Sequence, residues 1–406
     1  MNNRPIIVQK YGGTSISNTK KIKIIAKYIK KKYFGKNKLV VVVSAMGEET
    51  DRLIKLTKEI STIDNGREHD KLLQNGEVIT AALLALALEE IGISAISLNS
   101  QEIGLAVSGS HGLAKIRGLT DSSAVLKELE NNILVVTGFQ GADEESDDIK
   151  TLGRGGSDAS AVALAAALEA SVCEIYTDVD GIYTIDPRIV PQAKRLDKIT
   201  PKQMILMSTS GAGVLFNRSI EIAENHQIPL RVLLSPSIGE SSGGSLVANF
   251  ADIHNIERTI NINGMANNND IVVISFSQVK NKPGIAAKIT NCFSGINIIE
   301  LAQVYGKTTT HMSFLIKQKD YEQVQQGLKE AKIKFSASPN LCAITLFDFA
   351  MKDDCNYVIR VTKALSQKNI NIEFISSSGE KIVVGVIEKH LKKACQALAE
   401  EFSLLK

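Results

Sequence analysis

Short apolar runs alternate with longer amphipathic stretches through the first part of the chain. The apolar runs predict β-strands over Ile6–Gln9, Leu39–Ser44, Ala95–Leu98, Ile133–Thr137, Val172–Thr177 and Pro229–Leu233. Between them, the spacing of apolar residues predicts a helix that ends near Lys32 and further helices over Glu77–Glu90 and Ala159–Ala170. Continuous apolar strands separated by helices are typical of a mostly parallel sheet sandwiched by helices, so the first part is predicted to be an α/β domain.

The pattern changes after the Ser/Gly-rich passage at residues 235–250. Two similar cycles follow. The strands are predicted over Ile271–Phe276, Ile296–Glu300, Met312–Ile316, Leu341–Phe347, Ile370–Ile375 and Ile382–Ile387, with helices ending at Phe293, starting at Asp320, spanning Tyr357–Gln367 and starting at Lys389. Each cycle is a β-α-β-β-α unit of ferredoxin-like size, and the segments GINIIEL and NINIEFI echo each other. We therefore predict domains over 1–248, 264–337 and 338–406, with segment 249–263 pairing with the C-terminal region.

Composition argues against several classes of function but does not identify one. The 406 residues carry a net charge of +3, so no basic surface is predicted for nucleic acid. Trp is absent and aromatics are 5%, which leaves little for stacking on bases. The five cysteines and six histidines are scattered, which predicts neither disulfides nor a metal site. We find no stretch that would cross a bilayer and no secretion signal, so a cytoplasmic protein acting on small molecules is expected.

Lys10-Tyr11-Gly12-Gly13-Thr14-Ser15 follows the first predicted strand and precedes a helix. Glycines at such a turn let backbone N–H groups approach an anion, and the helix start favours negative charge. Lys10 adds a mobile cation. The turn therefore suits phosphate handling, although an ordinary strand-to-helix turn with a surface lysine fits the local pattern equally well.

A second glycine turn, Gly153-Arg154-Gly155-Gly156-Ser157-Asp158, leads into an alanine-rich helix. Arg154 can grip a carboxylate or phosphate in a bidentate fork. Ser157 and Asp158 could instead simply cap the helix. Neither glycine turn matches the Walker-type loop or the dinucleotide-binding fingerprint.

Thr177-Asp178-Val179-Asp180-Gly181-Ile182-Tyr183 follows another strand and precedes Asp186-Pro187-Arg188. Its carboxylates suit a ribose or a nucleotide-bound Mg²⁺, but a tight turn also favours Asp and Gly. Glu77 starts a helix and could be only a favourable first-turn acid. Taken together, the three turns and Glu77 predict phosphoryl transfer from ATP to a small acidic acceptor.

In chain order, six segments match landmarks of a known family: VQKYGGTS, VVVVSAMGEETD, REHDKLLQNGE, GFQGADEE, TLGRGGSDASAVALAAAL and CEIYTDVDGIYTIDPRIVPQA. The chain resembles aspartate kinases of the amino-acid-kinase superfamily, and its C-terminal modules resemble their tandem ACT regulatory domains. The resemblance implies ATP- and Mg²⁺-dependent phosphorylation of the β-carboxylate of L-aspartate to 4-phospho-L-aspartate. That reaction is the first step towards lysine, threonine and methionine.

The resemblance also assigns expected roles. Lys10 and Asp158 would be catalytic, with Lys10 neutralising the transferred phosphoryl group and Asp158 holding Lys10. The remaining residues are assigned according to the ligand that they would bind. ATP and its phosphates would be bound by Gly12, Gly13, Thr14, Thr177, Asp178, Tyr183 and Arg188, aspartate by Thr50, Glu77, Arg154 and Ser157, and an effector by Lys282, Pro283, Gly284 and Gln303.

Several positions depart from the family pattern. Gly213 stands where many relatives have a lysine that helps hold the nucleotide. Val304 stands where the family usually has an asparagine, and His311 stands where an aspartate is common. The segment Asp353-Asp354-Cys355-Asn356 stands where a proline–glycine turn is usual. Regulation by lysine or threonine is therefore one expectation for the ACT region, and a homo-oligomerisation platform without effector is the other.

Two functional alternatives stay open at this point. The first is a catalytically degenerate paralogue that binds amino acids as a regulator, which Gly213 and the altered ACT turns motivate. The second is a related kinase acting on another carboxylate acceptor, such as glutamate or its N-acetyl form. The tandem ACT region and the segment REHDKLLQNGE argue against this second alternative.

Overall fold

A computed structural model describes residues 4–62, 66–240, 243–249, 264–280, 282–305, 308–348, 351 and 356–406. The chain forms two compact units. The first comprises Met1–Ile182, Arg195–Ser208 and Gly213–Ile253, and the second comprises Tyr183–Lys194, Thr209–Ala212 and His254–Lys406. Residues 250–263 lie outside the described residues, so the predicted pairing of segment 249–263 and the predicted domain boundaries stay predictions.

Secondary structure over the first part of the chain alternates between strands and helices. The strands are β1 (Ile6–Tyr11), β2 (Lys38–Val43), β3 (Ala95–Leu98), β4 (Leu105–Ser108), β5 (Lys115–Leu119), β6 (Ile133–Thr137), β7 (Gln140–Asp143), β8 (Ile149–Thr151), β9 (Val172–Thr177), β10 (Ile182–Tyr183), β11 (Arg195–Leu196), β12 (Lys198–Ile199), β13 (Leu230–Leu234) and β14 (Ser245–Val247). The helices are α1 (Thr19–Lys32), α2 (Glu49–Ile60), α3 (Gly66–Leu73), α4 (Asn75–Glu89), α5 (Ser100–Ile103), α6 (Ser122–Glu128), α7 (Gly156–Ala167), α8 (Pro201–Thr209) and α9 (Asn217–Asn225).

The main sheet of the first unit has the strand order β12-β14-β13-β9-β1-β2-β6-β3. All its neighbouring pairs are parallel except β13 with β14. This confirms the predicted mostly parallel sheet. Because β1, β2 and β9 run side by side in one direction, their carboxyl ends lie at the same edge.

Helices cover the central strands of this sheet. Leu39, Val41 and Val43 of β2 pack with α1 and α4 in one hydrophobic cluster. Val40 and Val42, which alternate with them, are equally buried, and α7 packs against β1, β2 and β9. Burial on both faces explains why this strand reads as an unbroken apolar run.

A small second sheet in the first unit has the order β5-β4-β7-β8. Strands β7 and β8 form an antiparallel hairpin, with Gln140 opposite Thr151. The helix α3 packs on β8. The chain leaves β8 at Thr151 and enters the second glycine turn, so this sheet carries one side of the predicted site.

The second unit is built on antiparallel strands. Its strands are β15 (Gly264–Lys280), β16 (Glu300–Tyr305), β17 (Thr309–Lys317), β18 (Ser336–Phe347), β19 (Phe374–Ser378) and β20 (Lys381–Ile387), and its helices are α10 (Ile285–Thr290), α11 (Tyr321–Glu330), α12 (Asn356–Gln367) and α13 (Leu391–Glu401). All six strands belong to one sheet, in the order β16-β17-β15-β18-β20-β19. The two predicted ferredoxin-like cycles therefore join edge to edge into one sheet.

The long strands β15 and β18 make this junction. Gly264–Asn268 of β15 pairs with the end of β18, while Ile271–Lys280 pairs with β17. Conversely, Ser336–Ser338 at the start of β18 pairs with β15, and Leu341–Phe347 pairs with β20. Each cycle thus lends part of a strand to the other.

Two predicted strands are displaced in the structure. The run Ile296–Glu300 precedes β16, which starts at Glu300, and the run Ile370–Ile375 mostly precedes β19, which starts at Phe374. Ile296, Ile298 and Ile370 still pack against the hydrophobic clusters of their cycles. Apolar periodicity therefore identified buried residues correctly but placed them in the wrong element.

The prediction that no stretch could cross a bilayer needs a correction. The helical stretch Gly66–Glu89 is long and apolar enough by length and composition, although 44% of its most apolar window is buried inside the fold. A buried core helix meets the same criterion, and α4 packs on β3, β6 and α1. The stretch is weak evidence for a membrane segment.

Candidate functional site

The first glycine turn lies at the carboxyl edge of the parallel sheet. Lys10 is in β1, next to Ile175 of β9, and the chain turns at Gly12, whose N–H donates to the Tyr176 carbonyl at 3.4 Å. A Cβ on Gly13 would lie 2.9 Å from the Ala45 carbonyl oxygen. Gly13 is therefore needed because the backbone after β2 passes too close for a side chain.

The second glycine turn uses backbone freedom for a similar reason. Gly153 and Gly155 have φ of 75° and 72°, and a Cβ on Gly155 would lie 2.2 Å from the Phe216 ring. Gly155 is the residue before α7 and caps it without a side chain. Ser157 and Asp158 consequently lie inside the first turn of the helix and do not cap it, which corrects the capping interpretation.

Lys10 and Asp158 meet at the centre of the site. Their Nζ and Oδ1 atoms are 2.6 Å apart, and only 13% and 5% of the two side chains is exposed. The ion pair spans the end of β1 and the start of α7. A buried carboxylate facing a lysine holds the ammonium group in a defined position.

Glu77 is a buried acid without a cationic partner among the described residues. It lies in the first turn of α4, and Oε1 accepts a hydrogen bond from the Ala45 N–H at 3.0 Å. Oε2 has no hydrogen-bond partner within the part of the chain that the structure describes. Burial raises the pKa of Glu77 to about 8, although hydrogen bonds from backbone N–H groups lower it in part. A ligand ammonium beside Oε2 would satisfy this oxygen and favour the ionised form.

One cavity of about 210 Å³ brings together all six of the predicted catalytic and aspartate-binding residues. Its lining residues are Lys10, Ser44, Thr50, Glu77, Phe139, Gly153, Arg154, Gly155, Gly156, Ser157, Asp158 and Phe216. Ser44, Phe139 and Phe216 were not predicted. Phe139 has a φ of 69°, a costly conformation for an aromatic residue and one that concentrates at functional sites. The segment GFQG contains it, but no local pattern in the sequence reveals that strain.

The predicted nucleotide residues divide between the units. Thr177 and Asp178 belong to the first unit at the end of β9, and the Thr177 hydroxyl donates to Asp178 Oδ1 at 3.1 Å. Tyr183 and Arg188 belong to the second unit, where Arg188 pairs with Asp186 at 2.7 Å. In the first turn, the Thr14 carbonyl accepts a hydrogen bond from Lys21 at 2.6 Å.

The predicted effector residues all lie in the second unit. Lys282, Pro283 and Gly284 precede α10, and Gly284 adopts a φ of 88°. Gln303 lies in β16, and its amide donates to the Thr310 hydroxyl at 3.2 Å. Of the altered turn, Asp353-Asp354-Cys355 lies outside the described residues.

Comparison with known proteins shows which families the chain is similar to. The amino acid kinase family matches residues 5–233, and an ACT domain matches residues 349–402. An aspartate kinase of Stutzerimonas stutzeri is 38% identical over 98% of this chain and 97% of its own length.

Solved structures agree on the fold. Escherichia coli aspartokinase III in complex with aspartate and ADP has a TM-score of 0.76 at 22% identity, covering 98% of this chain and 100% of that one. The same enzyme in complex with lysine and aspartate has a TM-score of 0.78, with coverage of 98% and 99%. On the full-length identity to curated relatives, the chain belongs to the aspartate kinase family.

Proposed function

We propose that this enzyme transfers the γ-phosphoryl group of ATP to the β-carboxylate of L-aspartate, and that the cavity between Lys10, Glu77 and Arg154 binds the amino acid. The main support is that one cavity is lined by a buried ion pair, by a buried acid whose second oxygen has no partner among the described residues, and by an arginine. Aspartate presents one ammonium and two carboxylates, so the charges of the cavity complement it.

The acceptor would be held by opposite charges. Glu77 would face its ammonium group, Arg154 and Ser157 would bind carboxylates, and Thr50 would add a hydroxyl. Because the β-carboxylate of aspartate is ionised at neutral pH, no strong base is needed to activate it. The chemical difficulty is the repulsion between this carboxylate and the triphosphate.

Lys10 would relieve that repulsion. Its ammonium group lies beside the turn at Gly12 and Gly13, and it would neutralise charge on the transferred phosphoryl group with the backbone of this turn assisting. Asp158 would hold Lys10 in place. A fixed cation is worth more than a mobile one because it needs no reorganisation during the reaction.

The phosphoryl donor would enter as MgATP, with Mg²⁺ as part of the substrate. Thr14, Thr177, Asp178, Tyr183 and Arg188 are the residues proposed to bind it. Mg²⁺ is usually held by one or two carboxylates together with phosphate oxygens. The carboxylate of Asp178 at the end of β9 suits either this ion or the ribose.

The second unit is proposed to regulate and to assemble the enzyme, which we place in the cytoplasm. Lysine or threonine would bind near Lys282, Pro283, Gly284 and Gln303; the named E. coli structure is a complex with lysine and aspartate. Edge strand β16 exposes Leu301 and Val304. Apolar side chains on an open sheet edge suit association with a second copy.

A coupled assay of ADP release tests the proposal. Wild-type enzyme with MgATP should release ADP only when aspartate is added, and lysine or threonine should lower the rate. Glutamate and N-acetylglutamate serve as alternative acceptors. Aspartate binding without MgATP binding in calorimetry would instead favour the regulatory paralogue, and a faster rate with glutamate would reassign the acceptor.

A further inference from the structure

Asp70 is a buried acid that the proposed mechanism does not use. It lies in α3 with 1% of its surface exposed. Oδ2 accepts hydrogen bonds from the Gly112 and Thr151 N–H groups at 3.0 Å each and lies 2.9 Å from His111 Nδ1, while Oδ1 accepts from the Thr151 hydroxyl at 2.5 Å. A carboxylate with this many partners is fixed in orientation.

The partners of Asp70 lead directly to Arg154. Thr151 is the last residue of β8, and the chain continues through Leu152 and Gly153 into the second glycine turn. On the other side, a Cβ on Gly153 would lie 2.9 Å from the Gly112 carbonyl oxygen. Asp70 therefore binds both backbone segments that meet just before Arg154.

A second side chain holds the same segments from the opposite direction. Arg218 of α9 donates to the Leu152 carbonyl at 3.1 Å and to the Ala114 carbonyl at 2.9 Å. The Ala114 N–H in turn donates to the Thr151 carbonyl at 3.0 Å. The exit from β8 is thus fixed on its N–H side by Asp70 and on its carbonyl side by Arg218.

Asp70 also belongs to the helical stretch that carries Glu77. The helices α3 and α4 follow each other with only Gln74 between them, and Gln140 of β7 donates to the Gln74 carbonyl at 3.2 Å. Arg67, earlier in α3, pairs with Asp148 at 2.9 Å. The helix pair and the β7–β8 hairpin therefore form one hydrogen-bonded assembly.

We propose that Asp70 is a positioning residue that fixes the distance between Glu77 and Arg154, which both line the acceptor cavity. This inference rests on the proposed function. Asp70 itself is not among the residues that line the cavity. Since catalytic groups must be held within a fraction of an ångström of productive geometry, loosening this link should weaken aspartate binding far more than nucleotide binding.

Asp70→Asn tests the inference in the full-length enzyme. The side chain keeps its size, but its amide nitrogen cannot accept a hydrogen bond, so the donors around Oδ1 or Oδ2 lose their acceptor. We expect the KM for aspartate to rise about tenfold or more, with the KM for ATP within about twofold of wild type. Calorimetric titration with aspartate should show the same loss.

Asp143→Asn is the matched control. Asp143 is also buried, lies on β7 of the same small sheet, and holds Lys150 and Ser146. The described hydrogen bonds of its carboxylate go to Glu145, Ser146 and Lys150, not to Thr151 or Gly112. Its loss should lower the thermal midpoint but leave the KM for aspartate within about twofold of wild type.

Thr151→Val provides a second variant in case Asp70→Asn does not fold. It removes one hydroxyl and keeps the backbone N–H, so a smaller rise in the KM for aspartate of about threefold is expected. A wild type without aspartate-dependent ADP release would defeat the proposed function itself. An active wild type whose KM for aspartate is unmoved by both substitutions, or moved equally by Asp143→Asn, would overturn only the role of Asp70.

Discussion

The sheets of the two units place the ends of their strands differently. In the parallel sheet of the first unit, the ends of β1 and β9 and the start of α7 meet at one edge, and so do Lys10 and Asp158. In the antiparallel sheet of the second unit, neighbouring strands end at opposite edges. A parallel sheet therefore gathers functional groups at one place, whereas an antiparallel sheet spreads them over a surface.

The buried acids show the same contrast. Among the described residues, the first unit buries Asp70, Glu77, Asp143, Asp158 and Glu174, while the second buries only Asp348. Burying a carboxylate is costly unless it is paired or hydrogen-bonded. Two of the buried acids of the first unit, Glu77 and Asp158, line one cavity, whereas the second unit exposes Leu301 and Val304 on an edge strand. Changes in the first unit should thus affect turnover, and changes in the second should affect its control.

Lys10→Ala should have the largest effect. Without its ammonium group, charge on the transferred phosphoryl group is not neutralised, so kcat should fall by about 10³-fold or more. Steady-state ADP release measures this. Lys27→Ala, on the exposed face of α1, is the control and should keep full activity. A Lys10→Ala enzyme with near-normal kcat would contradict the assignment of the catalytic centre.

Glu77 should make aspartate binding depend on pH. Because burial raises its pKa to about 8, Glu77 is mainly protonated at neutral pH, and binding an ammonium group requires it to ionise. The dissociation constant for aspartate should fall by up to about tenfold per pH unit as the pH rises towards 8, then level off. Calorimetry between about pH 6 and pH 9 measures this.

Glu77→Gln is the control for that pH dependence. It should bind aspartate more weakly, because a neutral amide replaces the carboxylate, and the affinity should be nearly flat over the same range. An equally steep pH dependence in Glu77→Gln would assign the effect to another group.

Gly213→Lys should strengthen nucleotide binding. A Cβ at Gly213 meets no atom within 4 Å, so a lysine side chain has room to extend. If it reaches the phosphates as the family pattern suggests, the KM for ATP should fall by about tenfold, the order of one charged hydrogen bond. Gly213→Met has similar length without charge and should leave the KM for ATP unchanged; an equal fall there would exclude an electrostatic cause.

Gln303→Ala should have the smallest effect and should sharpen the contrast between the units. Loss of its amide, which holds Thr310, should weaken inhibition by lysine or threonine by about threefold at unchanged kcat. The control is Gln323→Ala, on the exposed face of α11. In the same assay it should leave inhibition by lysine or threonine unchanged. A fall in kcat without a change in inhibition would contradict the proposed division of roles.

Much of the fold could be predicted from the sequence because the parallel strands are buried on both faces. Val40–Val43 reads as one apolar run, and its position in β2 was predicted. The start of β16 was misplaced because Ile296 and Ile298 are partly buried against the hydrophobic cluster without being in a strand. The pairing of β15 with β18 depends on contacts far apart in the chain, which no local pattern contains.

The site was predictable where glycines mark it. The two glycine turns identified Lys10, Arg154 and Asp158, because close backbone approaches leave a signature in composition. Phe216 was missed because it reaches the cavity from a distant segment. Asp70 was missed as well, since a buried acid is recognised only by the hydrogen-bond donors that surround it.

The second unit includes a segment from the middle of the catalytic sequence. Ile185, Val190 and Ala193 pack in the same cluster as Met265 and Leu404, and the Thr184 hydroxyl donates to the Leu404 carbonyl at 2.8 Å. A regulatory fragment translated from Met265 would retain almost all of the six-stranded sheet but lose this insert. The cluster around Met265 and Leu404 would then lack the side chains of Ile185, Val190 and Ala193, so such a fragment would expose apolar surface that the full-length chain buries.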